Sequence, residues 1–420
     1  MAEAMASVIL TRDGSGATEW RWADEAPPPA PRHVGKFATV APAAAGLGLF
    51  ARRNVAAGDV LLRAAPVAHV IFDTALPLCA LCGGDVCSAG RCGACARAFC
   101  GEACAAAGAE DHAAECASAE WPHAPPACRL AARVLRRCRR DAAVRSYVDD
   151  LDVGGCAPDG GDSEDGDGAL DAAAVVVARL VGADAAAAPA EASTASSGAP
   201  RIRRLLRGLQ RNVHTVYDDE LRPIGVGLLP RAATAANHAC DPNIWQRFEI
   251  ASGRAPRLAY VSLAAVAAGA ELCHAYDDVT NLPRSERRSH LAEKYGFDCV
   301  CAACAAGDGE SLRGSDVRVQ SEAIEAAIRG RDFASAAAYS VAAAPKYAAA
   351  YPQAHPQRGL HDLRTAKLLL AVNDPEAAAK HAKLAIESIK LSHGEDSQLF
   401  RTSEKLLSEA LRSDDGSDDD

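Results

Sequence analysis

The sequence predicts an α+β multidomain fold: a β-rich core interrupted by a small cysteine-rich module, closed by a cysteine loop and followed by an α-helical C-terminal domain. Three observations predict it. Glycine-punctuated apolar runs in residues 36–72 and 224–276 read as short strands. Eight of the 16 cysteines fall between Cys79 and Cys116. After Ser311 apolar residues recur at three- and four-residue spacing, the period of helices with one buried face. A chain of 420 residues has room for two or three domains of ~100–200 residues each.

In chain order, residues 1–35 contain the run APPPAP and few periodic apolar positions, and are expected to be a flexible lead-in. KFATVA, GLGLFARRNV and GDVLLRAAPVAHVIF are short strands of a first core segment, 36–78. The cysteine module, 79–116, has too little apolar content for a core of its own. The core resumes over 117–278. There PPACRLAARVLRRCRR predicts a helix starting after the prolines, with Leu130, Val134 and Leu135 on one face. Residues 152–200 are rich in Asp, Gly, Ala and Ser and read as a mostly disordered insertion, VVVARLV being at most a short helix. A second cysteine region spans 279–310. Helices resembling tetratricopeptide-type hairpins fill 311–412, and an acidic tail occupies 413–420.

Composition narrows the function classes. Charged residues are 24% and hydrophobic ones 49%, an ordinary globular balance. The most apolar stretch, Ala172 to Ala190, is broken by Arg179 and Asp184, so no membrane span is expected. The N-terminal residues lack the basic-then-apolar pattern of a secretory signal, and a soluble intracellular protein is expected. The net charge of −10 is unevenly spread: residues 149–191 hold eleven acids against the single base Arg179, and the tail holds five more. The remainder is slightly basic, so the acidic total does not exclude an anionic partner.

In a reducing compartment clustered cysteines read first as metal ligands. The module has Cys79-x2-Cys82, Cys92-x2-Cys95, Cys100-x3-Cys104 and His112-x3-Cys116, enough for two tetrahedral zinc sites, with Cys87 outside the pairing. Spacing fixes the eight ligands but not which four share an ion. Cys299-x-Cys301-x2-Cys304 offers three ligands of a third site, and Cys240 is the leading candidate for the fourth.

GLGLFARRNVAAGDVLL (46–62), NHACDPN (237–243), ELCHAY (271–276) and YGFDCVCAAC (295–304) occur in that order. They resemble the sequence marks of a SET-domain lysine methyltransferase with its post-SET zinc loop. The cysteine module resembles a MYND zinc finger, and its position inside the core resembles the SET and MYND domain-containing (SMYD) family, with SHGEDSQL resembling that family's C-terminal domain. The resemblance runs from Lys36 to Leu411 apart from the insertion. It implies that Cys79, Cys82, Cys100 and Cys104 hold one zinc and Cys92, Cys95, His112 and Cys116 another.

The resemblance also implies a cofactor, S-adenosyl-L-methionine (SAM), and a protein substrate carrying the target lysine. Ala45, Gly46, Leu47 and Gly48 would border the methionine end of SAM, where glycines allow close backbone approach. Asn212, Asn237 and His238 would hold SAM, Phe297 would pack on its adenine, and Tyr147 lies where the family has a SAM-adjacent tyrosine. Tyr276 matches the catalytic tyrosine, while His214 and Tyr295 would wall the substrate channel. His214 stands where the family has phenylalanine, and His274 occupies a normally apolar strand position, expected to be partly exposed. The family implies cytoplasmic and nuclear localisation and proline-containing peptides as MYND partners. The arginines at 129, 133, 136, 137, 139 and 140 are expected on a solvated helix face, with nucleic acid as a lesser alternative. The competing functional class is a non-catalytic MYND/helical-repeat adaptor with a degenerate SET core.

Overall fold

The structure, a computed structural model, describes residues 8–12, 18–22, 32–34, 37–43, 46–73, 78–86, 91–95, 97–151, 164–182, 195–277, 279, 282–306 and 315–415. Ala45 and Cys87, most of the lead-in and residues 152–163, 183–194 and 416–420 lie outside these.

The β-rich part consists of small antiparallel sheets. β1 (Val8–Arg12) pairs with β2 (Thr18–Trp22), and β3 (Arg32–Val34), β4 (Ala38–Ala43) and β5 (Gly46–Ala51) form a meander. Strands within residues 1–35 correct the expected featureless lead-in. Val8, Ile9, Trp20 and Trp22 are strand formers whose signal is diluted by the prolines that follow. β6 (Val60–Ala64), β7 (Ala68–Ile71), β8 (Val213–Tyr217), β9 (Pro223–Leu228), β10 (Ile244–Glu249) and β11 (Arg257–Ser262) form two further sheets, ordered β10–β11–β6 and β7–β9–β8. Each joins a strand preceding the cysteine module to strands far beyond it. The core between them contains Leu49, Leu61, Ile244, Leu258, Tyr260 and Leu272, all fully buried.

The module carries α1 (Glu102–Ala107) and α2 (Ala109–Cys116), followed by α3 (Pro126–Arg140), α4 (Ala142–Asp149), α5 (Glu164–Gly182) and α6 (Ala195–Asn212). α3 begins on a proline, whose missing N–H costs nothing in a first turn. α5 is longer than the short helix expected at VVVARLV and replaces the disordered reading over 164–182, while residues 152–163 and 183–194 of that stretch lie outside the described residues. Val177 and Leu180 are fully buried with Leu130 and Val134 of α3 and Leu205 of α6, so an alanine-rich helix is held by its neighbours rather than by its own composition.

Half of the α3 arginine face is not solvated. Arg129, Arg133 and Arg136 are buried. Glu115 at the end of α2, itself buried, accepts from Arg97 Nη1 at 2.5 Å and from Arg133 Nε and Nη2 at 2.5 and 2.9 Å. Arg136 Nη1 lies 3.9 Å from the same carboxylate, and all three guanidiniums pack around the buried ring of Trp121. This one carboxylate ties the module to the core.

The rest of the chain contributes α7 (Arg231–Thr234), α8 (Arg284–Tyr295), α9 (Ala302–Ala305), α10 (Ser315–Arg329), α11 (Phe333–Ala350), α12 (Pro356–Ala371), α13 (Pro375–Ser392) and α14 (Gln398–Asp415). Asp332 and Asp374 cap α11 and α13 by accepting from Ser335 N and Ala377 N. Gly359 lets α12 and α13 approach: a Cβ there would fall 2.8 Å from Ile389. The helical domain docks through the SHGED turn. His393 stacks obliquely on Trp245 at 5.4 Å, its Nε2 donates to the Asp219 carbonyl at 3.1 Å, and Arg247 donates to the His393 carbonyl.

Glu115→Ala leaves three buried guanidiniums without their carboxylate, and is expected to cost about 3–5 kcal/mol in denaturant unfolding. Glu110→Ala, at the exposed pair with Arg140, should cost no more than about 0.5 kcal/mol. Equal costs would contradict the anchoring role of Glu115.

Candidate cofactor and zinc sites

Three sets of four donors converge: Cys79, Cys82, Cys100 and Cys104; Cys92, Cys95, His112 and Cys116; and Cys240, Cys299, Cys301 and Cys304. A tetrahedron with Zn–S bonds of about 2.3 Å has edges of about 3.8 Å. The observed edges match: 3.7 Å for Cys82–Cys100, 3.4 Å for Cys100–Cys104, 3.7 Å for Cys92–Cys116, 3.9 Å for Cys240–Cys299 and 3.6 Å for Cys240–Cys304. His112 Nε2 stands 3.2 Å from Cys95 Sγ. The chemistry and spacing of all three sets fit structural zinc. The first set is braced by the β10–β11 turn, where Gly253 N–H donates to Cys104 Sγ at 3.0 Å. At the third, fully buried Arg287 directs Nη2 at Cys304 Sγ and Arg284 Nε donates to the Cys304 carbonyl. These cations offset the negative charge of a tetrathiolate site.

The motifs come together around residues 271–276. On one side Leu272 N–H donates to the Leu49 carbonyl at 2.6 Å. On the other, His274 N–H donates to the Asn237 carbonyl at 3.0 Å and Ala239 N–H to the His274 carbonyl at 3.1 Å. Asn243 clamps the same segment, its Nδ2 donating to the Glu271 carbonyl and its Oδ1 accepting from Cys273 N–H. Asn237 Nδ2 donates to the Leu47 carbonyl at 3.1 Å and to Glu271 Oε1 at 2.7 Å. Gly48 needs its missing side chain, since a Cβ would lie 2.8 Å from Ala43 Cβ, Glu271 Oε1 and the Phe50 ring.

His238 links this segment to the third metal set. Its Nδ1 accepts from Tyr276 N–H at 3.0 Å, so its proton sits on Nε2, which lies 3.3 Å from Cys240 Sγ. The ring of Tyr276 packs against those of His238, His274, Tyr295 and Phe297 at centroid distances of 5.4, 5.1, 5.3 and 6.1 Å. The Tyr295 hydroxyl donates to the Tyr276 carbonyl at 3.0 Å, which fixes the backbone from the other side.

Two cavities meet at Tyr276. One, of about 190 Å³, is bounded by Asn212, His214, Thr234, Ala236, Tyr276 and Tyr295. The other, of about 260 Å³, lies between the β-rich core and the helical domain, with Trp245, Ala275 and Tyr276 facing Tyr351, His355 and Gln357. Tyr217, Gln246, His274 and Asp277 also line both. Gly46, Leu47, Gly48, Asn237, His238 and Phe297 line neither cavity. Tyr147 stands one layer back, its hydroxyl donating to the Leu229 carbonyl at 2.7 Å and burial pushing its pKa up to about 12.

His274, expected partly exposed, is buried; it faces His214 in a stacked arrangement at 5.6 Å. Burial holds the pKa of His214 down, against the 2.9 Å hydrogen bond that its Nδ1 donates to Gln246 Oε1, and holds that of His274 well below the usual range. Both imidazoles are therefore neutral near pH 7, and this pair contributes a polar, uncharged part of the wall. Glu271, Asn243, Gln246 and Asp277 are site residues that motif reading missed. The first two lie inside ELCHAY and NHACDPN, and Asp277 directly follows Tyr276. Gln246 carries no sequence signal.

The SET domain family matches residues 46–277, more than half of the chain, and the chain belongs to that family. Its three zinc-type ligand sets and its relatives place it in the SET-and-MYND branch. It is similar to histone-lysine N-methyltransferase SMYD3 of Mus musculus, 25% identical over 247 residues that cover 47% of this chain and 56% of the relative. To histone-lysine N-methyltransferase Smyd1 of Mus musculus it is 27% identical over 285 residues, covering 64% of this chain and 55% of the relative. The chain spans about half the length of the curated relatives it matches. The crystal structure of the SET domain of LSMT bound to lysine and AdoHcy resembles it over 92% of this chain and 90% of its own. The TM-score of 0.36 and 11% identity are too low to inform the site. Among the described residues no helix is long and apolar enough to cross a membrane.

Elemental analysis of protein purified without chelator is expected to find three zincs per chain, falling to two in Cys240→Ser. A count of two in the unaltered protein would remove the third site.

Proposed function

We propose that the chain transfers a methyl group from SAM to the ε-amine of a lysine in a protein substrate. The observation that carries this reading is the double exposure of Tyr276. It faces one cavity on the side of Asn212 and His214, and another at the junction with the helical domain. A transfer enzyme needs this arrangement, because donor and acceptor must approach one wall from opposite sides.

SAM, when bound, supplies a methyl group on a sulfonium sulfur that a neutral amine displaces in line. The residues present fit such a ligand: Asn212 and Asn237 offer amide groups and Phe297 an aromatic face, while Gly48 allows the close packing of β5 on Glu271. In this reading the Tyr276 hydroxyl orients the amine, and the Tyr276 and Tyr295 rings confine it. The neutral His214 and His274 add no positive charge that would repel an incoming ammonium. No side chain here serves as a dedicated base, so the amine proton leaves to water. The helical domain's Tyr351, His355 and Gln357 would contact the chain around the target lysine.

Histone and non-histone lysines are both compatible with this channel, and the likeness to SMYD3 and Smyd1 favours histones. Proline-containing peptides at the MYND finger, and a cytoplasmic and nuclear distribution, are proposed from the motif resemblance to the SET-and-MYND family. Nucleic acid is the weaker partner. Arg129, Arg133 and Arg136 are buried, and Arg137 and Arg140 pair with Asp111 and Glu110.

Calorimetric titration of zinc-loaded protein with S-adenosylhomocysteine (SAH) tests the cofactor reading without knowledge of the substrate. Micromolar binding that is lost in Asn237→Ala is expected. No binding by folded protein would put the adaptor reading first. With core histones and labelled SAM, Tyr276→Phe should cut turnover at least tenfold with SAH affinity little changed. An unchanged rate would remove Tyr276 from the reaction.

A further inference from the structure

Among the described residues that line the two cavities beside Tyr276, the one carboxylate is Asp277, and it lies on the wall of both. It directly follows Tyr276 in the chain. The interdomain cavity has no other charged group on its described wall, since burial holds His274 and His355 neutral. A lysine in solution is an ammonium near pH 7. It passes this carboxylate whichever cavity admits it.

The structure already holds an ammonium at that place. Lys294, in the last turn of α8, lines the smaller cavity and puts Nζ 2.5 Å from Asp277 Oδ2. The same Nζ lies 5.4 Å from the centroid of the Tyr295 ring, and His290 Nε2 stands 2.8 Å from the same carboxylate oxygen. A carboxylate and an aromatic face are both partners that favour a cation. Burial works against the charge of Lys294, but the hydrogen bond to Asp277 and the nearby Tyr295 outweigh it and raise its pKa.

The pair is also exchangeable. The side chains of Lys294 and Asp277 are 49% and 32% exposed, so water reaches both. An ion pair of this kind is worth at most about 1 kcal/mol. Replacing one ammonium by another on the same carboxylate conserves the charge balance, and the displaced Lys294 returns to solvent.

Resting on the proposed methyl transfer, we infer that Asp277 captures the ammonium of the target lysine on its way to Tyr276, with Lys294 holding the place until substrate arrives. The carboxylate favours the charged amine and therefore acts on substrate binding. The Tyr276 hydroxyl acts on the neutral amine, in the transfer itself.

The test is steady-state transfer from labelled, saturating SAM to core histones, with SAH calorimetry on the same variants. Asp277→Asn should raise the KM for histone about five- to tenfold, the loss falling on KM rather than kcat, and Asp277→Glu should recover part of it. Lys294→Met frees the carboxylate and should lower KM about two- to fivefold at low salt, a gain that fades as salt screens the charge. Opposite signs separate capture of the substrate from support of the fold. A KM raised alike by Asp277→Asn and Lys294→Met would make the pair a clamp of α8 on residue 277 and overturn the inference. So would a fall in kcat at unchanged KM, or SAH binding weakened as much as histone binding. Should Asp277→Asn not fold, Lys294→Met decides by the direction of its KM change, a fall supporting the inference and a rise or no change overturning it. No transfer by the unaltered protein would instead remove the methyltransferase reading and the inference with it.

Discussion

Residues 271–276 are the constraint on which the site depends. This short segment is hydrogen-bonded to β5 on one side and to residues 237–239 on the other, with Asn243 holding it at two points. Motifs separated by most of the chain meet because this one segment bridges to both, Glu271 to Phe50 and His274 to His238. Tyr276 emerges from its end into a position fixed by three hydrogen bonds to main chain and ring: its own N–H to His238, its carbonyl to Tyr295, and the neighbouring bond of Ala239 to His274. A side chain that must orient a small amine within a fraction of an ångström needs a backbone that does not move.

Metal and positive charge do related work at two places. The third ligand set includes Cys240, whose sulfur faces His238 Nε2, so loss of that zinc would release a histidine that holds Tyr276. Its tetrathiolate charge is balanced by Arg284 and Arg287 from α8. At the cysteine-rich module the signs are reversed, with one buried carboxylate, Glu115, set among Arg97, Arg133 and Arg136. Both arrangements bury charge only where partners are close, as the cost of an uncompensated buried ion requires.

Local chemistry was the legible part. Ligand spacing named eleven metal-binding donors and left Cys240 as the leading candidate for the twelfth, and four short motifs named the segments that converge on Tyr276. The paths of α10, α12, α13 and α14 followed from their apolar periodicity. What was hidden depended on tertiary partners. α5 reads as low-complexity chain because its helix is stabilised by Leu130 and Leu205, which lie in other helices. α11 escaped notice because alanine occurs throughout the chain, so an alanine run marks nothing. The α3 arginines looked solvated because their partner Glu115 ends a different helix.

The central claim is that the third metal set positions Tyr276 through His238. The most direct measurement is turnover of His238→Leu, which fills the space but removes both hydrogen bonds, with zinc content and SAH affinity determined on the same sample. Three zincs and turnover on core histones reduced at least tenfold at saturating SAM are expected. Full turnover with three zincs in place would show that Tyr276 is positioned by other means.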